Sequence, residues 1–291
     1  MKGKIIINAF LRPNECVLQA NRLKEELERQ GVETEIVSNG FLRTAVVGSV
    51  IATDLFDTDF CIYLDKDKYL SESLTKAGVR LFNRHDAIRV CDDKARTYIA
   101  LANNGIKIPD TIFGFLSYSK DDLVPNEYAD EIISKLSLPV VVKECYGSMG
   151  KGVYLARTKE ELLVLMQDLK NKPHLYQKYI DYKKGSDVRV IVIGGKTVCY
   201  FERSNDFDFR SNIGQGGSGK LVEIPKSFIE TAESCAKILG LDYCGVDLLY
   251  DKDGAVVCEV NSNAFFFEAE KVTGVNIAKA YADYIIKTIN K

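Results

Sequence analysis

Three oxygen-bearing side chains late in the chain, Asp247, Glu259 and Asn261, have types and spacing that suit metal chemistry. They lie in CGVDLLYDKDGAVVCEVNSNAFF, residues 244–266. Two apolar runs flank DKDG, a turn signal with Gly254 placed for a left-handed residue, so the stretch reads as a β-hairpin. With a Lys252-Asp253-Gly254 loop, Asp251 pairs with Ala255, and counting outward sets Asp247 opposite Glu259. Side chains alternate along a strand, so Asn261 shares the Glu259 face. Like charges across a strand pair repel, so something positive is expected between the acids. Hard oxygen donors suit Mg2+ or Mn2+, and Mg2+ takes a few protein oxygens plus substrate phosphates. The plainer reading is a hairpin with its acids in water. Apolar Val246, Leu248, Val257 and Val260 beside them disfavour it.

A second group of residues could hold phosphate. KECYGSMGKG, residues 143–152, sets small residues between two strands. Its Gly147, Ser148 and Gly150 would let backbone N–H groups approach phosphate oxygens. Lys143, ending the incoming strand, could neutralise charge there. The segment lacks the GxxxxGK[ST] pattern and leads to a strand, so it is no P-loop. GQGGSG at 214–219 has the form GxGxxG, but no strand closely precedes it and no helical pattern follows. It reads as a flexible loop near a site. GGKT at 194–197 reads as a hairpin turn. Taken singly, Lys94 in CDDKARTYIA is a solvated lysine. LYQKYID could be a plain strand or a hinge offering backbone groups to a purine. Arg189, Arg203 and Arg210 have forks that match carboxylates and phosphates, although surface arginines are common.

The totals exclude other chemistries. The chain has 291 residues, 46% hydrophobic and 27% charged, with a formal charge of −2. That balance gives no reason to expect nucleic acid or an anionic membrane as partner. No apolar run has the roughly 18–20 residues of a membrane helix, and MKGKIIINAFLRPNE reads as a first strand. The eight cysteines are scattered without a CxxC, pointing to a reduced, cytoplasmic setting. Only His85 and His174 occur, so no multi-histidine metal centre is available. Both are read as surface or packing residues.

Elements that would position these groups follow from periodicity. Strands over 4–10, 32–37, 59–65 and 79–83 alternate with helices over 14–30 and 69–78, suggesting a small parallel α/β unit. One helix closed by Asn104-Gly105 is expected next. Then come a strand near Pro109, a helix over 127–137, strands at LPVVVKE and GVYLA, a helix over 158–171 and the strand HLYQKYI. DVRVIVIGGKTVCYFER is a hairpin with a Gly-Gly turn. Helices are expected over 225–239 and 275–290.

In order along the chain, these segments resemble the ATP-grasp superfamily, and within it the carboxylate–amine ligases similar to ribosomal protein S6 glutamate ligase. The segments are DDKARTYIALANNGIKIP, PVVVKECYGSMGKGV, QKYI, DVRVIVIGGKTVCYFER, DFRSNIGQGG, GVDLLY and EVN. The resemblance implies an α/β (α+β) ATP-grasp fold with an N-terminal domain over 1–84. A central subdomain with a Gly-rich lid would span 85–180, and a C-terminal subdomain with the metal site 181–291. It implies that Lys94 and Lys143 contact ATP phosphates under the lid of Gly147, Ser148 and Gly150. Lys178 and Tyr179 would border the adenine and Asp187 the ribose. Arg203, Arg210, Ser211 and Asn212 would line the phosphate and substrate side, with Arg203, Arg210 and Asn212 catalytic. Asp247, Glu259 and Asn261 would hold two Mg2+ or Mn2+ ions.

The implied reaction is ATP-dependent amide formation through an acyl phosphate, with an acid and an amine as partners. A homo-oligomer is left open. A kinase on the same site and a non-catalytic nucleotide sensor are the alternatives. Two departures bear on substrate. RSNIGQGG stands where such ligases often show RSNLHRGG, and SNAFFF where they tend to show ASPG after EVN. Gly214-Gln215 in place of a basic pair, with Phe265, Phe266 and Phe267, suggests a less anionic, more apolar partner than glutamate.

Overall fold

The computed structural model describes residues 1–10, 14–40, 44–55, 57–148, 150–211 and 217–291. The first part runs β1 (Lys2–Ile7), α1 (Asn14–Glu28), β2 (Glu33–Ser38), β3 (Thr44–Val47), β4 (Val50–Thr53), β5 (Phe60–Tyr63), α2 (Lys68–Lys76) and β6 (Leu81–Phe82). Four of these strands form a parallel sheet in the order β2-β1-β5-β6. Parallel neighbours need crossovers, which explains the strand–helix alternation. The hairpin β3-β4 stands apart as its own two-stranded sheet. Its valines are exposed, so no burial pattern marks it in the sequence.

The single helix expected after residue 85 is two helices, α3 (His85–Cys91) and α4 (Lys94–Leu101). Asp93 interrupts them with extended backbone, and its side chain accepts from the N–H groups of Ala95 and Arg96. An N-cap aspartate satisfies two donors that a continuous helix would have bonded backward. The break places Lys94 at the first turn of a new helix.

The middle of the chain holds β7 (Thr111–Phe113), α5 (Asn126–Leu136), β8 (Val140–Glu144), β9 (Val153–Ala156), α6 (Lys159–Leu169) and β10 (His174–Lys178). The strands form an antiparallel sheet ordered β7-β10-β8-β9. Ile132, Leu136, Val140, Val142, Leu162, Met166 and Tyr176 make its core, drawn from this segment alone among the described residues.

The last part holds β11 (Ser186–Ile193), β12 (Lys196–Ser204), β13 (Ser218–Lys220), α7 (Lys226–Leu239), β14 (Tyr243–Asp251), β15 (Gly254–Asn261), α8 (Phe267–Thr273) and α9 (Ile277–Ile289). Its sheet is ordered β13-β12-β11-β14-β15. Val188, Val190, Val192, Val246 and Leu248 pack one face onto Phe228, Ala232 and Leu239 of α7. On the other face Ile191, Ile193 and Phe201 join a core with Leu23, Leu27, Phe60 and Phe82 of the first part and Tyr281 and Ile285 of α9. Asn83 ties the two parts further. Its amide donates to the Tyr243 and Ser262 carbonyls and accepts from the Asp242 and Tyr243 N–H groups.

Both histidines are buried packing residues. His85 Nδ1 meets Ser71 Oγ at 2.9 Å and His174 Nε2 meets the Tyr176 hydroxyl at 2.7 Å. All eight cysteines are free. No helix among the described residues is long and apolar enough to cross a membrane.

Candidate active site

The carboxylates meet, but not by the expected route. Asp251 pairs with Gly254, so the turn has two residues and the register starts one residue off the count from sequence. A β-bulge then restores it. Leu248 pairs with Val257, whereas Asp247 pairs with Glu259, leaving Cys258 as the extra residue. Val257 and Val260 both face the α7 core, and their spacing of three breaks the period of two. Cys258 and Glu259 are thereby both presented to one cavity. The β11-β12 hairpin does the same. Ile191 pairs with Cys199 but Val192 with Thr197, and the bulge at Val198 brings Asp187 opposite Arg203.

Positive charge sits beside the acids rather than between them. Arg189 lies opposite Asp247 on the neighbouring strand and forks onto it, Nε to Oδ1 and Nη2 to Oδ2, both at 2.7 Å. Arg203 Nη2 reaches the same carboxylate at 2.9 Å while forking onto Asp187. The four charges alternate in sign across three strands. Burial alone pushes the Asp247 carboxyl up, but the two guanidiniums outweigh it and hold it below the usual carboxylate value. Glu259 is more open, with Lys94 Nζ at 3.7 Å. Asn261 Nδ2 lies 3.5 Å from Asp247 Oδ2.

Across the cavity, the second sheet supplies Lys143 and the glycine loop. Lys143 is buried, its Nζ 3.3 Å from the Tyr98 hydroxyl and 3.9 Å from Cys258 Sγ. Burial pushes the Cys258 thiol up, against the pull of Lys143. Gly147, Gly150 and Gly152 have φ of 138°, 73° and 71°, values that favour glycine. Two cations hold this loop down. Lys94 Nζ donates to the Gly147 carbonyl and Arg210 Nη1 to the Gly150 carbonyl, both at 2.9 Å. The cavity beneath has about 100 Å³, less than the roughly 300–1,000 Å³ of ligand clefts in general.

This cavity gathers Lys94, Lys143, Ser148, Gly150, Lys178, Tyr179, Asp187, Arg203, Arg210, Ser211, Asp247 and Glu259. Asn212 lies outside the described residues, as do Gly214 and Gln215. The Lys178 N–H donates to the Asp110 carbonyl at 2.9 Å, so that group is not free for a purine edge. Asp187 spends both oxygens on Arg203. Cys258 and Tyr98 were missed by sequence reasoning. The Val257–Val260 spacing was the signal for the first; Tyr98 had none.

A second cavity, of about 300 Å³, adjoins the first and shares Ser148 and Glu259 with it. Gly147, Asn261, Arg189 and Phe265 line it as well. Gly245 makes room for the turn carrying Phe265, since a Cβ there would come within 2.7 Å of Ala264 Cβ. Phe266 is fully buried and Phe267 packs against the same core. Of the three expected cavity aromatics, only Phe265 faces the site, because α8 begins at Phe267 and turns the other two inward.

The model for the RimK-like ATP-grasp domain matches residues 91–285. The chain belongs to the RimK-like ATP-grasp family. Beta-citrylglutamate synthase B of Danio rerio is 36% identical over 228 residues, covering 77% of this chain and 55% of that protein. The chain thus spans little more than half the length of the vertebrate synthases it matches. A probable alpha-L-glutamate ligase of Psychromonas ingrahamii is 32% identical over 301 residues, covering 98% and 96%. The crystal structure of a RimK domain protein ATP-grasp from Sphaerobacter thermophilus has a TM-score of 0.74 at 19% identity, covering 98% of this chain and 99% of that one. It shares the fold. The first cavity takes its lining from both of the larger antiparallel sheets.

The donor set fits a divalent cation held jointly with phosphate. Among the described residues no three His, Cys, Asp or Glu side chains converge on one point. Glu259 is the open carboxylate, with the Asn261 amide near it, whereas the Asp247 oxygens lie on Arg189 and Arg203. One or two carboxylates plus substrate phosphates and water is the usual Mg2+ environment in ATP sites.

Proposed function

We propose that this protein is an ATP-dependent carboxylate–amine ligase. The observation that carries the reading is the first cavity, which Lys94, Lys143, Arg203 and Arg210 line together with Asp247 and Glu259. Lysines and arginines lining one cavity with carboxylates suit a triphosphate bridged to the acids by two Mg2+ or Mn2+ ions. The ions would neutralise charge on the phosphoryl group in transfer. Asp247, Glu259 and Asn261 would hold them.

A substrate carboxylate oxygen attacks the γ-phosphorus, the bond to the β-phosphate oxygen breaks, and ADP leaves. An amine nitrogen then attacks the acyl carbon, inorganic phosphate leaves, and the nitrogen gives up a proton. Lys94 and Lys143 hold the phosphates, and Arg203 and Arg210 offset the developing charge; Asn212, outside the described residues, would share that role. Gly147, Ser148 and Gly150 close over the phosphates and keep water from the acyl phosphate. The Lys178–Tyr179 segment and Ser211 border the nucleotide, and Asp187, locked by Arg203, orients that arginine as well as facing the ribose. No protein nucleophile is required, since positioning and charge carry the chemistry. The chain divides accordingly into 1–84, 85–180 and 181–291, each span carrying one of the three large sheets.

Hydroxylamine trapping tests the reading. Chain, Mg-ATP, hydroxylamine and a panel of amino acids, N-acyl amino acids, dicarboxylates and dipeptides should give ADP, phosphate and a hydroxamate with at least one acid. A stable phosphorylated product formed without any amine would make the protein a kinase. Nucleotide binding without turnover would make it a sensor.

A further inference from the structure

The second cavity is closed on its far side by the C-terminal ends of β1 and β5. Asn8 and Asp65 line it there, and neither lines the nucleotide cavity. The Asp65 carboxylate is held by two amides, Asn8 Nδ2 on Oδ1 at 3.1 Å and Asn39 Nδ2 on Oδ2 at 2.5 Å. Both donors are neutral, so they fix the group without compensating its charge. The adjacent cation is spent elsewhere, for Lys66 Nζ lies 2.9 Å from Asp92. Among the described residues, no lysine, arginine or histidine forms an ion pair with Asp65. Each carboxylate oxygen can accept a further bond, and a half-buried carboxylate without a cation is costly to desolvate. At the cavity's other end stand Arg189 and Glu259, beside the nucleotide site.

We propose that Asp65 is a specificity-determining anchor for a substrate ammonium group. The cavity takes an acid of amino-acid type, its amino group on Asp65 and its carboxylate toward the nucleotide cavity, where the two cavities share Ser148 and Glu259. This rests on the ligase reading above. The anchored nitrogen is not the one that forms the amide bond, because Asp65 lies in the part of the cavity that the nucleotide does not share. The attacking amine must instead reach an acyl carbon beside the γ-phosphate. An acid with an acylated nitrogen sets a neutral amide against Asp65, and one with a second carboxylate sets like charge there. Both should be disfavoured.

The test compares each proteinogenic amino acid and several dipeptides with their N-acetyl forms, using Mg-ATP and hydroxylamine. The expected result is hydroxamate from a subset of free amino acids or dipeptides, with kcat/KM about tenfold or more above the acetylated partners. Asp65→Asn should raise KM for the free acids and bring that ratio toward one, while Asp65→Glu retains it. A merely structural role would depress both series and leave the ratio unchanged, which would overturn the proposal. Wild-type preference for acetylated or amine-free acids would overturn it also and leave the ligase reading standing. No hydroxamate from any acid would overturn both.

Discussion

At the scale of single residues, Asp247 and Glu259 look alike in sequence and differ in what surrounds them. Asp247 is buried under two arginines, whereas Glu259 is partly open near one lysine. Repulsion between facing acids suggested that losing either would leave stability intact. The arginines reverse that for Asp247. Asp247→Asn should destabilise the chain by about 3 kcal/mol in urea unfolding, because the Arg189 guanidinium is left without its counter-charge while Arg203 keeps only Asp187. Glu259→Gln should unfold like the wild type yet lose about 10²-fold or more in kcat. The depressed Asp247 carboxyl contributes stability above its unfolded value and loses it only as pH falls through the lower folded one. Lys143→Ala should weaken ATP binding about tenfold or more in calorimetry, and Lys151→Ala much less, since Lys143 is buried in a strand and Lys151 rides an exposed loop. Equal, negligible effects would put the phosphates elsewhere.

Among elements, α8, the β3-β4 hairpin, the break between α3 and α4, β13 and the two bulges were parts that sequence reasoning did not reach. The turn residues and alternating apolar runs made both site hairpins legible. A bulge inserts a single residue without a turn signal, so counting from the Gly194-Gly195 turn sets Asp187 against Glu202 rather than Arg203. The α8 segment FEAEKVT is short and its Phe267 follows Phe265 and Phe266, a run that reads as a surface rather than a helix start. Its Glu268 is of interest because Oε1 is buried without a hydrogen-bond partner among the described residues. Burial pushes this carboxyl up, against the pull of Arg203 and Arg189. A raised carboxyl favours its protonated form in the fold. Its contribution is present below the unfolded value and is lost as pH rises through the folded one. Glu268→Gln should therefore raise Tm at neutral pH, with the gain shrinking as pH falls toward the ordinary glutamate range. A gain that grows on acidification would refute this.

For the molecule as a whole, the three large sheets are unequally bound to one another. The first and third share one core and the Asn83 bonds. The second keeps a core of its own among the described residues. The second sheet should therefore be the part that swings to admit nucleotide. With a non-hydrolysable ATP analogue, hydrogen exchange should slow most around 145–152 and 209–211 and change little over 3–7 and 277–289. Slowing concentrated in the latter spans would contradict it. The shared core also sets an order of assembly. Leu23 and Leu27 of α1 are buried partly by Tyr281 and Ile285 of α9, which the ribosome delivers some 250 residues later. At ~5–20 residues per second, the first sheet waits on the order of ten seconds or more, its apolar helix face uncovered. The middle sheet, complete in itself, has no such wait. A nascent chain stalled before α9 should thus offer a protease its beginning while its middle is already resistant.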